Sequence, residues 1–297
     1  MDAGLLAQYV MNGLMLGMMY ALVAVGFTLF FGVLDVIKFS HGDVLTVGAF
    51  AALATYVGLR MLGLNSNWLD LVVILVVATL AMAFLGMAIA RYLVMPLRSA
   101  PALNTLLITL MLGTVLRESV RLFYPQGANP KPFPALLPRA SIDLGTFNLR
   151  LDNVLMLTAG VLVIVGIQYL LNRTKLGLAI RAVAQDEEAL RLMGANPVRI
   201  KQFAFGIATA VLGIAGALLI IVAPVEPTLD RAYIGRTFCV VVMAGLGSIS
   251  GTLIAAIILG VAESIVLTMF GASWAPAISF AMLLGVLAVR PQGLLGR

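Results

Sequence analysis

Stretches without a charged side chain, each about the length of one membrane crossing, follow one another along the chain. The uncharged windows are 3–34, 44–59, 71–90, 99–116, 153–172, 202–225, 237–262 and 264–289. A helix that crosses the hydrocarbon core takes about 20 apolar residues, so most windows hold one helix. Window 3–34 is too long for one crossing, and its second part, Gly26 to Ile37, is expected to form a short half-helix. Window 237–262 is interrupted by Ala244-Gly245-Leu246-Gly247-Ser248-Ile249-Ser250-Gly251. Glycine and serine at that density suit a kink, or irregular backbone sheltered inside a bundle. The pattern predicts an all-α, polytopic helical membrane protein with about eight to ten membrane segments, including broken or half helices. No hydrophilic stretch is large enough for a second domain, so residues 1–297 form a single transmembrane domain.

Composition agrees. The chain is 62% hydrophobic and 11% charged, with a mean hydropathy of +1.08, where a soluble domain carries about 25% charge. That excludes a soluble enzyme, a disordered chain, a disulfide scaffold and a collagen-like repeat. The net charge of +6 would hint at nucleic acid in a soluble protein. Here the basic residues fall in loops, where they orient the chain against the anionic inner face of membrane lipid. Asn172 to Gln202 holds Arg173, Lys175, Arg181, Arg191, Arg199 and Lys201 and is expected in the cytoplasm. Arg91 and Arg98 then share that side by parity. The segment around 124–152, with Pro125, Pro130, Pro132, Pro134 and Pro138, falls outside as an extended cover. Arg290 and Arg297 favour an inside C-terminus, and an outside N-terminus is favoured because Met1-Asp2 lacks positive charge. The first window is too long, and lacks the flanks, for a cleavable signal peptide. The lone Cys239 lies in an apolar run and reads as a small core residue.

The sequence has no G-x-x-x-x-G-K-[ST] nucleotide loop. His41 is its one histidine, which leaves no H-E-x-x-H site and no histidine cluster for a metal. No cofactor and no catalytic residue is expected. Glu263 stands between two uncharged runs. An acid at a helix centre costs about 2.5–3.5 kcal/mol on insertion scales. It is therefore either a polar group in a translocation pathway or a helix-end residue at the interface. Asp35, Lys38, Ser40, His41 and Asp43 form a second polar cluster. Ser40 and Asp43 have the spacing of a helix capping box; the rival reading puts Ser40, His41 and Asp43 at the pathway or its gate. Gly13 and Gly17, and again Gly247 and Gly251, have the four-residue spacing that lets helix backbones approach closely in lipid. Gln185 to Pro197 reads as a short amphipathic helix. Asp186, Glu187 and Glu188 fill its first turn, Ala189, Leu190, Leu192 and Met193 give an apolar stripe, and Gly194 and Pro197 end it. Its acids disfavour an anionic lipid surface, so docking to a partner is expected, with Asp186, Glu187, Glu188, Ala189, Arg191 and Gly194 as candidate contacts.

Four stretches together resemble the inner-membrane permease subunits of ABC importers for branched-chain amino acids, the Liv type. They are Met11 to Leu22, Phe39-Ser40-His41-Gly42-Asp43, Gly177 to Asn196, and Gly245 to Gly251 with Gly260-Val261-Ala262-Glu263. The cytoplasmic stretch also resembles the importer motif E-A-A-x-x-x-G at Glu188, Ala189 and Gly194. Leu190 replaces the second alanine, and the I-x-L-P ending is absent. The resemblance covers essentially the whole chain. It implies a multi-pass subunit of a bacterial inner membrane that hydrolyses no ATP itself. It also implies a second permease, two cytoplasmic ATPase subunits and a periplasmic substrate-binding protein as partners. The substrates implied are leucine, isoleucine and valine; a same-family permease for urea, short amides or other amino acids is the alternative. An ATP-independent secondary transporter or channel is the reading from another class, and the shortage of intramembrane charge for ion coupling argues against it.

Overall fold

The structure is a computed structural model, and it describes residues 3–34, 40–63, 67–97, 100–133, 141–143 and 148–296. Eleven α-helices occur among them: α1 (Ala3–Leu34), α2 (His41–Met61), α3 (Asn67–Ile89), α4 (Ala102–Phe123), α5 (Leu151–Arg173), α6 (Lys175–Gln185), α7 (Glu187–Leu192), α8 (Pro197–Leu219), α9 (Leu229–Ala244), α10 (Ile249–Phe270) and α11 (Ala275–Val289). A π turn at Ala90–Val94 and a 3-10 turn at Met95–Leu97 extend α3. One two-stranded antiparallel hairpin, β1 (Ser141–Asp143) and β2 (Asn148–Arg150), precedes α5. Seven helices are long and apolar enough to cross a membrane: α1, α2, α3 with its extension, α5, α8, α10, and α11 with the turn before it. Two more long helices pack among them. α4 carries Arg117, Glu118 and Arg121 towards its end, and α9 has 16 residues. The molecule is thus an all-α polytopic membrane protein.

The half-helix expected at Gly26 to Ile37 does not form as a separate element. α1 runs unbroken through Gly26 to Leu34, and residues 35–37 lie outside the described residues. A helix of 32 residues extends about 48 Å at 1.5 Å per residue, more than the ~30 Å hydrocarbon core. Burial explains its continuity. Of the α1 span window 78% is buried, against 11% for α11. A helix that is apolar all round and enclosed by neighbours needs no polar face. Its long contacts run along α10 and α8, and α8 in turn packs on α3 and α2. The break expected at 244–251 does form: α9 ends at Ala244, and Gly245 and Gly247 take φ of +91° and +88°. Those values suit glycine, which has no Cβ to clash. α10 then starts at Ile249 with the Ser248 side chain accepting from Gly251 N.

The two ends of the bundle are closed differently. At one end the segment after α4 meets the α8–α9 connection, with Lys131 and Val225 exchanging backbone hydrogen bonds of 2.8 and 2.9 Å. Phe133 packs on Tyr56 and Tyr124 on Phe50. This is the proline-rich cover; Pro134 and Pro138 lie outside the described residues. At the other end the chain after α11 returns to α9, where Leu294 N and Leu295 N donate to Met243 O and Ala244 O. A cavity of about 460 Å³ opens beside it, lined among others by Thr28, Gln168, Arg181, Ser248 and Leu295.

Candidate functional site

Glu263 lies inside α10, two turns before its end, and is 1% exposed. The helix-end reading is therefore corrected. The Tyr20 hydroxyl of α1 donates to Glu263 Oε2 at 2.9 Å. Arg236 of α9 brings its Nε to 2.8 Å from Oε1. That N–H makes no hydrogen bond, so the contact is ionic. Arg236 Nη1 also donates to Ala232 O, and Tyr233 meets the Tyr20 ring edge-on at 6.2 Å. A buried charge in an apolar setting has to be paired, and here one acid ties three helices together.

Ser40, His41 and Asp43 sit at the start of α2, and all three are buried. The capping box does not form. Ser40 holds the N-cap position, but its hydroxyl makes no hydrogen bond, and Asp43 turns instead to Arg117 on α4, with Nε and Oδ1 3.7 Å apart. The same guanidinium reaches Asp230 of α9, Nη1 to Oδ2, at 3.8 Å. His41 Nε2 is 2.9 Å from the carbonyl of Val23, and its ring packs edge-on against Phe27 and Phe30. His41 is thus a core residue joining α2 to α1, and no group of three or more His, Cys, Asp or Glu among the described residues could hold a metal. Asp35 and Lys38 lie outside the described residues. Cys239 is fully buried.

The stretch between α5 and α8 holds two helices, and the short helix expected over Gln185 to Pro197 is α7. α6 follows α5 directly, with Thr174 accepting from Gly177 N. Asp186 then breaks the helix and caps α7, accepting from Glu188 N and Ala189 N at 2.9 Å each. Glu187 Oε2 accepts from Lys201 at 2.6 Å and Oε1 from Arg191 at 2.5 Å. The Lys201 hydrogen bond, helped by Arg191, holds the Glu187 carboxyl below its usual range against a partial loss of hydration. Gly194 ends the unit at φ +82° with open space around it. Pro197 is the first residue of α8, capped by Asn196, where a missing N–H costs nothing. No α7 residue is buried; Leu192 and Met193 are 86% and 83% exposed.

Gly13 and Gly17 lie against α10, where a Cβ on Gly13 would fall 2.5 Å from Val261 Cα and one on Gly17 2.8 Å from Ala256 O. Gly260 reciprocates from α10. Gly251 fits against Ala244 O, whereas Gly247 has open space and serves the turn through its positive φ, not a helix contact. Sequence reasoning missed Tyr20, Arg117, Asp230 and Arg236. Arg117 and Arg236 each border an uncharged window, so the charge pattern does not mark them as buried.

Residues 9–287 match the family described as branched-chain amino acid transport system / permease component. The chain belongs to this family. BraD, a high-affinity branched-chain amino acid transport system permease protein of Pseudomonas aeruginosa, is 30% identical over 295 residues, covering 98% of this chain and 95% of BraD. LivH of Escherichia coli K12, similarly named, is 28% identical with the same shares of both chains covered. LivM of that organism is 28% identical over 314 residues, covering 94% of this chain and 68% of LivM. The permease is therefore a multi-pass inner-membrane transport subunit, and its buried charges belong to a protein that moves a solute.

Proposed function

We propose that this permease is one of two membrane subunits of an ATP-binding-cassette importer. It admits leucine, isoleucine and valine handed over by a periplasmic binding protein, and separate cytoplasmic ATPase subunits drive it through α7. The observation that carries this reading is α7 itself. It is a capped helix of six residues, fixed between α5–α6 and α8, whose Leu192 and Met193 find no cover in their own chain. A rigid unit between two long helices transmits a push. An apolar, acid-capped knob in water is stabilised by a partner with a matching groove, and the match to E-A-A-x-x-x-G falls on its exposed Glu188, Ala189 and Gly194. The names of BraD, LivH and LivM support the substrate class.

The test is co-purification of the ATPase subunits together with leucine uptake in proteoliposomes, comparing wild type with Glu188→Lys and Gly194→Val. Loss of ATPase retention with intact insertion is expected. Normal retention and normal uptake in both variants would remove α7 from the coupling role. Wild-type uptake of urea or short amides in place of leucine would move the substrate assignment and leave the coupling assignment standing.

A further inference from the structure

The two buried ionic groups on α9 differ in how tightly they are closed. About one and two-thirds turns of helix separate Asp230 from Arg236. At Arg236 the contact with Glu263 is 2.8 Å, and Tyr20 adds a hydrogen bond to the same carboxylate. At Asp230 the guanidinium of Arg117 stands 3.8 Å away, and 3.7 Å from Asp43, beyond the roughly 2.7–2.9 Å of a charge-assisted hydrogen bond. Asp43 Oδ1, Asp230 Oδ1 and Ser40 Oγ make no hydrogen bond at all. A buried ion pair offsets its desolvation only with close geometry and satisfied lone pairs. By distance the Arg236 group is the closed one, although its Nε–H also makes no hydrogen bond, and the Arg117 group is the looser one.

The surroundings of Arg117 are nevertheless shaped for it. Asp43 and Asp230 each lie in the first turn of a helix, where the dipole favours an acid. Those two turns touch, since a Cβ on Gly42 would fall 2.7 Å from Asp230 Cβ. One turn before Arg117, Gly113 leaves the space that Asp43 fills; a Cβ there would come within 2.1 Å of Asp43 Oδ2. α4 packs chiefly on α2, and its guanidinium reaches across to α9. A static brace would be expected to close to hydrogen-bonding distance in such a fitted pocket.

We infer that Arg117 is a positioning residue for transport, a latch that holds α4 and α2 to α9 and is released and remade in each cycle, while the Glu263–Arg236–Tyr20 contact keeps α9 with α1 and α10. The motion it permits is of α4 against α9, since His41 ties the start of α2 to α1. The inference rests on the transport reading above for its assay alone. If the substrate class is wrong, wild type fails to take up leucine before any variant is compared.

The experiment uses the full transport complex in proteoliposomes, with Arg117→Cys and Asp230→Cys introduced into Cys239→Ala and bridged by a bis-methanethiosulfonate about as long as an arginine side chain. Bridging should lower leucine uptake at least tenfold, and reduction should restore it. Uptake unchanged by bridging would overturn the latch. If the cysteine pair does not assemble, the triple variant Arg117→Gln, Asp43→Asn, Asp230→Asn keeps shape and leaves no unpaired charge. There the ATP hydrolysed per leucine delivered should rise at least threefold at unchanged complex assembly. A wild-type ratio in that variant would equally overturn the proposal.

Discussion

Replacing Glu263 with leucine takes one charge out of the contact that joins α1, α9 and α10. Removing one partner of a buried ion pair costs about 3–5 kcal/mol, because the other charge is left uncompensated. The stranded Arg236 side chain is 23% exposed, against 2% for Glu263, so it keeps some hydration, and the expected cost falls near the low end, about 3 kcal/mol. The Tyr20 hydroxyl also loses its acceptor, a further cost of about 1 kcal/mol. Glu263→Leu combined with Arg236→Met leaves no buried charge. An apolar pair of similar volume replaces an ion pair with little loss, so the double variant should recover to within about 1 kcal/mol of wild type. The assay is a double-mutant cycle on thermal unfolding in detergent, with uptake measured alongside. The single variant, about 4 kcal/mol less stable, should unfold roughly 8–16 °C lower, and the coupling between the two positions should exceed about 2 kcal/mol. Additive effects would refute the claim that Arg236 and Glu263 compensate one another. Wild-type uptake by Glu263→Leu at normal expression would take the acid out of the transport pathway.

Gly17→Val sets branched carbons against Ala256 O and Ile257 Cα, backbone atoms that cannot yield; α1 and α10 must separate, at a cost of about 1–3 kcal/mol, seen as loss of folded protein in detergent, while Gly285→Val in open space should be silent. Glu188→Lys opposes the α7 dipole by only about 0.3–1 kcal/mol, so a large loss of uptake with an intact fold would report a lost partner contact. The Glu187 carboxyl is held below its usual value of 4.5, so its pairing stabilises α7 fully above that value and is lost as pH falls through the lower folded one; amide protection factors in 187–194, taken relative to an unstructured peptide at the same pH, should be constant above the usual carboxylate value and fall as pH drops below it, and Glu187→Gln should remove that step. The purified chain alone should neither bind nor hydrolyse ATP in a nucleotide-binding assay, since it lacks the phosphate-binding loop.

The helix pattern was legible because uncharged windows mark where a chain can sit in lipid. The break at Gly245 to Gly251 was legible too, since glycine and serine crowd there without a competing apolar run. The same logic hid the buried charges. A charge taken as the boundary of a window carries no sign of burial, yet Arg117 and Arg236 are each met by an acid from a different helix. Such pairing depends on contacts distant in sequence, as with Tyr20 and Glu263, and one-dimensional hydropathy carries no trace of it. The supposed half-helix failed for a related reason: α1 is longer than a crossing because neighbours, not lipid, surround its middle. In the Gln185 to Pro197 stretch, Asp186 could be placed as an acid near a helix start. That it ends one helix while capping the next depends on its extended backbone, φ −154° and ψ 104°.

Chain order gives the buried first helix a particular history. α1 leaves the ribosome before any of its main neighbours, yet it is the helix whose span is most enclosed in the finished bundle. Until α8 and α10 are synthesised, its Gly13–Gly17 groove and the Tyr20 hydroxyl must be tolerated by lipid or by the insertion machinery. A phenol and two glycines are tolerable guests there; an acid is not. Glu263 is made after both Tyr20 and Arg236, so its partners precede it into the membrane. Of the two charges Arg236 is the one that cannot be neutralised, so it waits for its counter-ion, and the arrival of Glu263 both pairs it and completes the enclosure of α1.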